Sequence, residues 1–337
     1  SPELVKFNIE LNVEPALLSG NVLSTFESKL DKRWQQCSAT TASLEANILG
    51  IGILPTLQDS ELTLDNISLL NRYKALNEQV LRHRNGVELA LNIHGEEHLR
   101  VSQKDVILEA AANSLEFHIQ VPQDVAARYY NASVILSAPM VAVSANSPCL
   151  FGRRLWQETR IPVFEQAVPT GGYGGAASGP VHRVSFGSGY VRESLYECFQ
   201  ENLDHFPVLL PVHYKTPIEK VRYLRLHNGT IWRWNRPLIG VDNSTYHLRI
   251  EQRVIPAGPT IVDMIANAAF YFGLTTALAN EQTAPESLID FDQVKDDFYL
   301  VAEQGLQANI HWPGEGQIKV KDLLLERLIP AARMGLS

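Results

Sequence analysis

The stretch His247-Leu248-Arg249-Ile250-Glu251-Gln252-Arg253 decides the fold class, because its polar and apolar residues alternate as they do in a β-strand. In a strand, Arg249, Glu251 and Arg253 point to one face at steps of about 6–7 Å. A carboxylate between two guanidinium groups suits a metal ion, and the arginines suit phosphate or carboxylate oxygens. The alternative is a solvent-exposed face on which neighbouring charges pair with each other.

The residues before this stretch add more arginine. Ile231-Trp232-Arg233-Trp234-Asn235-Arg236-Pro237 supplies two further guanidinium groups between aromatic side chains. Turns at Asn228-Gly229 and Asp242-Asn243 predict two or three strands within residues 221–255. From 220 to 253 the chain has seven basic and two acidic residues, a local charge of +5 in a protein whose formal net charge is −8. This window is therefore where an anionic ligand is expected.

Three other segments also read as strands. Leu115 to Val121 alternates and places Glu116, His118 and Gln120 on one face. His118 and Gln120 suit a metal or phosphate contact, although a core histidine bonded to a neighbouring strand is the alternative. Residues 6–13 alternate and place Glu10 on the polar face. The alternative for Glu10 is an exposed glutamate of a strand, which is common. Residues 47–54 form an apolar run that predicts a buried strand. Glu10 and Glu251 together are a plausible Mg²⁺ pair, since this ion prefers carboxylate oxygens.

The remaining pattern predicts helices, one strand and one loop. Helices are expected at residues 21–34, 65–81, 124–145, from 259 onward, 296–310 and 320–333, with a strand at 88–94 and a mobile glycine-rich loop at 169–189. The order lacks the regular alternation of a doubly wound sheet, so the sequence predicts an α+β fold. No repeat or linker divides it, and a single domain over residues 1–337 is expected.

Composition excludes several classes of protein. Apolar residues make up 45% and charged residues 20% of the 337-residue chain, a globular balance that excludes disorder and low-complexity architectures. The three cysteines are too few and too widely spaced for a disulfide framework or a zinc ribbon. The negative net charge argues against nucleic-acid binding. The lack of a signal-peptide pattern and of a long apolar run predicts a cytoplasmic protein that does not enter a membrane. Phosphate-loop, nucleophile-elbow and H-E-x-x-H motifs are absent.

Taken together, the N-terminal strand with Glu10, the strand with His118, the strand with Glu251 and three longer blocks resemble the glutamate–cysteine ligase type 2 family. The blocks are residues 144–161, 226–237 and 247–274. This resemblance to a family of carboxylate–amine ligases implies a glutamine synthetase-like catalytic fold, with a large curved antiparallel sheet and helices on its outer side. It also implies that ATP, with Mg²⁺, phosphorylates the γ-carboxylate of glutamate, and that an amine such as cysteine then attacks the acyl phosphate.

The resemblance also implies roles for individual residues. Glu10 and Glu251 would ligate Mg²⁺, with Glu45 as a further metal carboxylate. His118 would lie near the metal and the phosphates. Gln120, at the next position on the same strand face, would also contact the cofactor. Arg160 would contact the substrate or the nucleotide. The transferred phosphate and the substrate carboxylate would be stabilised by three arginines, Arg236, Arg249 and Arg253.

Two residues depart from the family pattern and leave other functions open. Asn12 stands where the family's E-x-E has its second glutamate, and Gln120 where its H-x-H has its second histidine. A non-catalytic nucleotide- or amino-acid-binding protein on the same fold is therefore one alternative, and a guanidino-type phosphotransferase is another. Small-molecule substrates are expected in each case, and the oligomeric state is left open.

Overall fold

The structure, a computed structural model, describes residues 2–168 and 182–337. Helices and strands follow one another irregularly, and every sheet of the described residues but one is antiparallel. The predicted α+β class is therefore confirmed. Residues 169–181 of the predicted glycine-rich loop lie outside the described residues.

The α-helices occupy most of the segments that the sequence predicted to be helical. In chain order they are α1 Val22–Ala42, α2 Asn71–His83, α3 Ala126–Ile135, α4 Ser137–Ser144, α5 Arg160–Ala167, α6 Tyr196–His205, α7 Arg222–Gly229, α8 Ile261–Ala279, α9 Phe291–Gln304, α10 Val320–Leu323 and α11 Ile329–Gly335. A π-helical turn at Leu324–Leu328 joins α10 to α11. The predicted helix at 124–145 is divided into α3 and α4, and Pro139, which has no N–H to donate, lies in the first turn of α4.

The strands are mostly short. They are β1 Leu89–His94, β2 His98–Gln103, β3 Ser114–Val121, β4 Cys149–Leu150, β5 Arg153–Arg154, β6 Val184–Ser185, β7 Trp232–Arg233, β8 Asn235–Asp242, β9 Thr245–Pro256, β10 Asn309–His311 and β11 Gln317–Lys319. The largest sheet of the described residues has three strands in the order β3-β9-β8. The large curved sheet and the glutamine synthetase-like fold remain predictions, as does the single domain.

A tight hairpin joins β8 to β9. Asp242 pairs with Thr245, and the two residues between them, Asn243 and Ser244, have φ values of 46° and 68°. Positive φ at both central positions matches the twist of a two-residue hairpin. The turn predicted at Asp242-Asn243 is thus confirmed, and it aligns Arg236 of β8 with Glu251 of β9.

One face of the central sheet packs on helices. Phe117, Ile250 and Val254 are buried on that face and belong to the main hydrophobic core. The Phe117 ring stacks on Tyr271 of α8 with centroids 5.4 Å apart. The opposite face of the sheet carries His118, Arg236 and Glu251, whereas buried Asn235 and Gln252 share the core face with Phe117.

Helix α8 is the most apolar helix of the described residues. By length and composition it is apolar enough to cross a membrane, with a mean hydropathy of 1.4. It packs on α3 and α11, and its backbone approaches α11 so closely that a Cβ on Gly273 would collide with the carbonyl oxygen of Ala332. This helix is thus part of the protein core.

Two strand predictions near the N-terminus are wrong. Residues 6–13 form only an isolated bridge, between Ile9 and Pro2, and residues 47–54 form no strand. In the second segment Gly52 donates to the carbonyl of Asn146 and accepts from the N–H of Asn113. Its backbone hydrogen bonds therefore go to loops instead of a strand, which the absence of a Cβ at glycine permits.

The Asn228-Gly229 pair ends a helix instead of turning a hairpin. Residues 222–229 form α7, and Gly229 is its last residue. Buried Asn228 donates from Nδ2 to the carbonyl of Pro237 over 2.9 Å, which attaches α7 to the edge strand β8. The two strands predicted after this point, β8 and β9, are confirmed.

Candidate active site

Three ionisable side chains form a row across the central sheet. His118 of β3 and Arg236 of β8 lie directly opposite Glu251 of β9, one on each side. Arg236 Nη2 lies 2.9 Å from Glu251 Oε1 and 3.0 Å from Oε2, and His118 Nε2 lies 3.5 Å from Oε2. The Glu251 side chain is only 2% exposed. A buried carboxylate is therefore contacted from both neighbouring strands, and Arg236 supplies its counter-charge.

An irregularity in the β3–β9 pairing brings two more charges to this row. Leu115 pairs with Ile255 and Phe117 with Gln252, so β9 contains one extra residue at this place, a β-bulge. Here Arg253 Nη2 lies 3.0 Å from Glu116 Oε1, and Arg253 Nη1 lies 3.4 Å from Glu251 Oε1. Arg253 thus bridges the two carboxylates.

Glu116, His118 and Glu251 are the group of the described residues whose geometry could hold a metal ion, and we call them the metal-ligating group. Their ligand atoms all lie within 4.8 Å of one another. Burial alone would raise the pKa of Glu116, but Arg253, His118 and Arg236 outweigh burial and hold this pKa well below its usual range. Glu116 is therefore ionised at neutral pH and can bind a cation.

Several arginine N–H groups around the row have no hydrogen-bond partner among the described residues. They are buried Nε atoms of Arg236, Arg249 and Arg253, together with Nη1 of Arg236. Arg249 lies opposite Gln120 in the β3–β9 ladder, next to the row. Buried donors without partners are costly, and an anionic ligand would satisfy them.

Acidic residues surround the other side of Arg253. Burial and the charge of Glu3 raise the pKa of Glu109 to about 7, although Arg253 opposes them. Burial and Glu10 likewise raise the pKa of Glu3. The row therefore has an arginine-rich side at Arg249 and an acidic side toward the N-terminal segment.

Comparison with known families identifies the chain. The family model described as glutamate-cysteine ligase family 2 matches residues 1–326. The chain belongs to glutamate-cysteine ligase family 2. A search of curated proteins gives no match. Membership in glutamate-cysteine ligase family 2 makes the protein a carboxylate–amine ligase, a class that acts on small molecules, and confirms the resemblance drawn from residues 144–161, 226–237 and 247–274.

Most of the residues predicted for the ligase site meet at the sheet. His118, Arg236 and Arg253 each contact Glu251, and Gln120 and Arg249 lie opposite each other beside them. Whether each residue has its predicted role stays a prediction. The structure shows that two separate segments of the chain supply this group.

Arg160 has a different environment. It is 2% exposed and is bound through Nε to Glu158 Oε1 over 3.0 Å, and it donates from Nη2 to the carbonyl of Val254. Its guanidinium lies 5.2 Å from the centroid of the Trp234 ring. These contacts attach the start of α5 to β9. The hydrogen bonds of Arg160 are thus made to other residues of the protein, and its predicted contact with substrate or nucleotide stays a prediction.

Glu10 and Glu45 lie outside the metal-ligating group. Glu10 is exposed in the irregular N-terminal segment and interacts with Glu3. Glu45 is exposed in the turn after α1, with a φ of 55°. The structure thus does not bring either carboxylate together with Glu251, because the strand expected to carry Glu10 does not form.

Glu116 is a ligand candidate that the sequence pattern alone does not single out. Alternation had already placed Glu116 on the same face as His118, so the signal was present. The bulge and the ion pair with Arg253 could not be read from the sequence. Arg222 and Arg225, which line a cleft next to Arg249, were likewise noted only as part of the basic window.

The buried carboxyl group of Glu165 is expected to make the stability of the protein depend on pH. Its Oε1 accepts from Trp234 Nε1 over 2.7 Å and from the Tyr299 hydroxyl over 2.8 Å, and burial raises the pKa of Glu165 to about 7. Folding thus favours the protonated carboxyl. Its contribution to stability is complete below pH 4.5, the ordinary pKa, and is lost as the pH rises through about 7.

We therefore expect Glu165→Gln to raise the free energy of unfolding at pH 8 by about 1–3 kcal/mol, because the amide keeps both hydrogen bonds without a charge. At pH 4 the variant and the wild type should be equally stable. Urea denaturation at both pH values measures this, with exposed Glu303→Gln as the control. A gain of the same size at both pH values would contradict the explanation.

Proposed function

We propose that the protein is an ATP- and Mg²⁺-dependent ligase that activates the γ-carboxylate of glutamate for condensation with an amine such as cysteine. A carboxylate oxygen would displace ADP from the γ-phosphorus of ATP to give an acyl phosphate. The amine nitrogen would then form the amide bond, as phosphate leaves and the nitrogen loses a proton. The observation that carries the proposal is the row of His118, Glu251 and Arg236, flanked by Glu116 and Arg253.

The acidic residues of the row suit a divalent cation. Glu116 and Glu251 supply the oxygen ligands that Mg²⁺ prefers, and His118 adds a nitrogen donor. A carboxylate has about four lone-pair sites, so the arginine contacts of Glu251 leave room for a metal ion. The bound ion would offset the negative charge that phosphoryl transfer brings together.

The arginines suit the anionic reactants. Phosphoryl transfer depends mainly on positioning and on neutralising charge. Arg236, Arg249 and Arg253 each have at least one buried N–H without a partner among the described residues. We infer that these N–H groups bind the phosphoryl group and the substrate carboxylate. Each of them would then donate a charge-assisted hydrogen bond to the ligand.

Phosphate release tests the proposal. The protein is incubated with ATP, Mg²⁺, glutamate and a panel of amines that includes cysteine, and the products are analysed by mass spectrometry. Phosphate and an amide are expected only when carboxylate and amine are both present. Reactions without one substrate are the controls.

Three other outcomes would contradict the proposed ligase activity. ATP binding in calorimetry without turnover would favour the non-catalytic binding protein. Phosphate transfer to one acceptor without condensation would favour the phosphotransferase. Phosphate release that needs no carboxylate would show ATP hydrolysis alone.

A further inference from the structure

A cleft lies beside the row, between α7 and the hairpin β8–β9. Its volume is about 460 Å³, and it is lined mainly by Tyr214, Arg222, Arg225, Leu238 and Arg249. A volume in this range suits a small-molecule ligand. Since Arg249 also lies two residues from Glu251 on the same strand face, the cleft adjoins the site proposed for phosphoryl transfer.

The cleft has three guanidinium groups and no carboxylate to neutralise them. Arg222 and Arg225 are three residues apart on α7 and therefore project from one side of the helix. No carboxylate of the described residues lies within 4.0 Å of either arginine or of Arg249. Cations that line a common cleft repel one another, and a bound anion would remove this repulsion.

The walls of the cleft are held in place by the protein. The Tyr223 hydroxyl accepts from the Tyr214 backbone N–H over 3.0 Å, and the Arg222 guanidinium lies 5.4 Å from the centroid of the Tyr214 ring. Asn228, buried at the far end of α7, is bonded both to Pro237 and to Asn202. The residue before the helix, Val221, has a φ of 42°, a strained value for a β-branched side chain. Arg222 and Arg225 are thus presented on a fixed support.

On these grounds we propose that the cleft binds a second, strongly anionic part of the carboxylate substrate, so that the glutamate unit whose γ-carboxylate reacts belongs to a larger, polyanionic molecule. That the bound anion is a substrate rests on the proposed function. Arg222 and Arg225 would hold the distal anionic group, while Arg249 lies between this group and the reacting carboxylate. A tricarboxylate and a phosphorylated carboxylate share the required chemistry.

Binding without turnover tests the inference. Isothermal titration calorimetry of the full chain, without Mg²⁺ or nucleotide, uses citrate, pyrophosphate and glutamate as probes. Citrate or pyrophosphate is expected to bind at least about tenfold more tightly than glutamate, because the additional negative charge forms charge-assisted hydrogen bonds with Arg222 and Arg225 that glutamate cannot form. Preference for citrate would identify a polycarboxylate substrate, and preference for pyrophosphate a phosphorylated one.

Variants then locate the binding. In Arg222→Gln/Arg225→Gln, whose side chains are exposed so that the fold is retained, affinity for the better probe should fall at least about tenfold. The control Arg82→Gln/Arg100→Gln removes the same charge from two exposed arginines elsewhere and should bind as the wild type does. No binding of citrate and pyrophosphate, or equal affinity in the two double variants, would overturn the inference. Since the titration contains no ATP or amine, this result is independent of whether ligase activity is found.

Discussion

Glu251→Gln is expected to reduce amine-dependent phosphate release at least about a thousandfold. Glu251 is the point where His118, Arg236 and Arg253 meet, and it is one of two carboxylates in the metal-ligating group. The amide has the same shape but lacks the charge that binds a cation and compensates the two arginines. Initial rates at saturating ATP and Mg²⁺ measure the effect.

A matched variant separates this effect from a general loss of acidic charge. Glu303 of α9 is exposed, and Glu303→Gln should retain the wild-type rate. Circular dichroism should show the same secondary structure in both variants. A Glu251→Gln protein that folds and retains more than about a tenth of the activity would remove Glu251 from the reacting centre.

Glu158→Leu is expected to lower the free energy of unfolding by about 3–5 kcal/mol. Glu158 is fully buried, and its carboxylate accepts from Arg160 and, over 2.9 Å, from the backbone N–H of Asn146. Leucine would leave the buried Arg160 guanidinium without its counter-charge. Equilibrium urea denaturation at pH 7 measures the loss.

The double variant Glu158→Leu/Arg160→Met is the control. It removes both buried charges, and an apolar pair of similar size can be as stable as an ion pair. We expect it to recover most of the stability that the single variant loses. A single-variant loss below about 1 kcal/mol would show that this ion pair does not hold α5 against β9.

The sequence predicted the strands of the site well, because both strands have one polar and one apolar face. Residues 115–121 alternate throughout and residues 247–253 alternate except at Gln252, so the faces of His118 and Glu251 could be assigned without coordinates. The pairing of the strands places His118 and Arg236 opposite Glu251. This pairing depends on tertiary register, which the sequence pattern does not contain. The family blocks supplied the ligase class, which the family match confirms.

The errors arose where alternation was not supported by a partner strand. Residues 6–13 alternate, yet the described chain offers them no strand with which to form a ladder. Apolar residues 47–54 are placed by glycine contacts with loops, which periodicity does not reveal. The Asn228-Gly229 signal is local and serves equally to end a helix, so only the packing of Asn228 against β8 decided between the two structures.

The bulge in β9 makes the protein sensitive to the length of this strand as well as to its residue types. Arg253 and Val254 together lie opposite Glu116. Deleting one of them would restore regular pairing while Ile255 stays opposite Leu115, so the strand would lose the local bend and extra twist of the bulge. Homologous chains with a gap at this position should therefore aim the side chain opposite Glu116 differently and weaken the bridge between the two carboxylates, even where both glutamates are present. An alignment gap at 253–254 would then be a sign of altered chemistry.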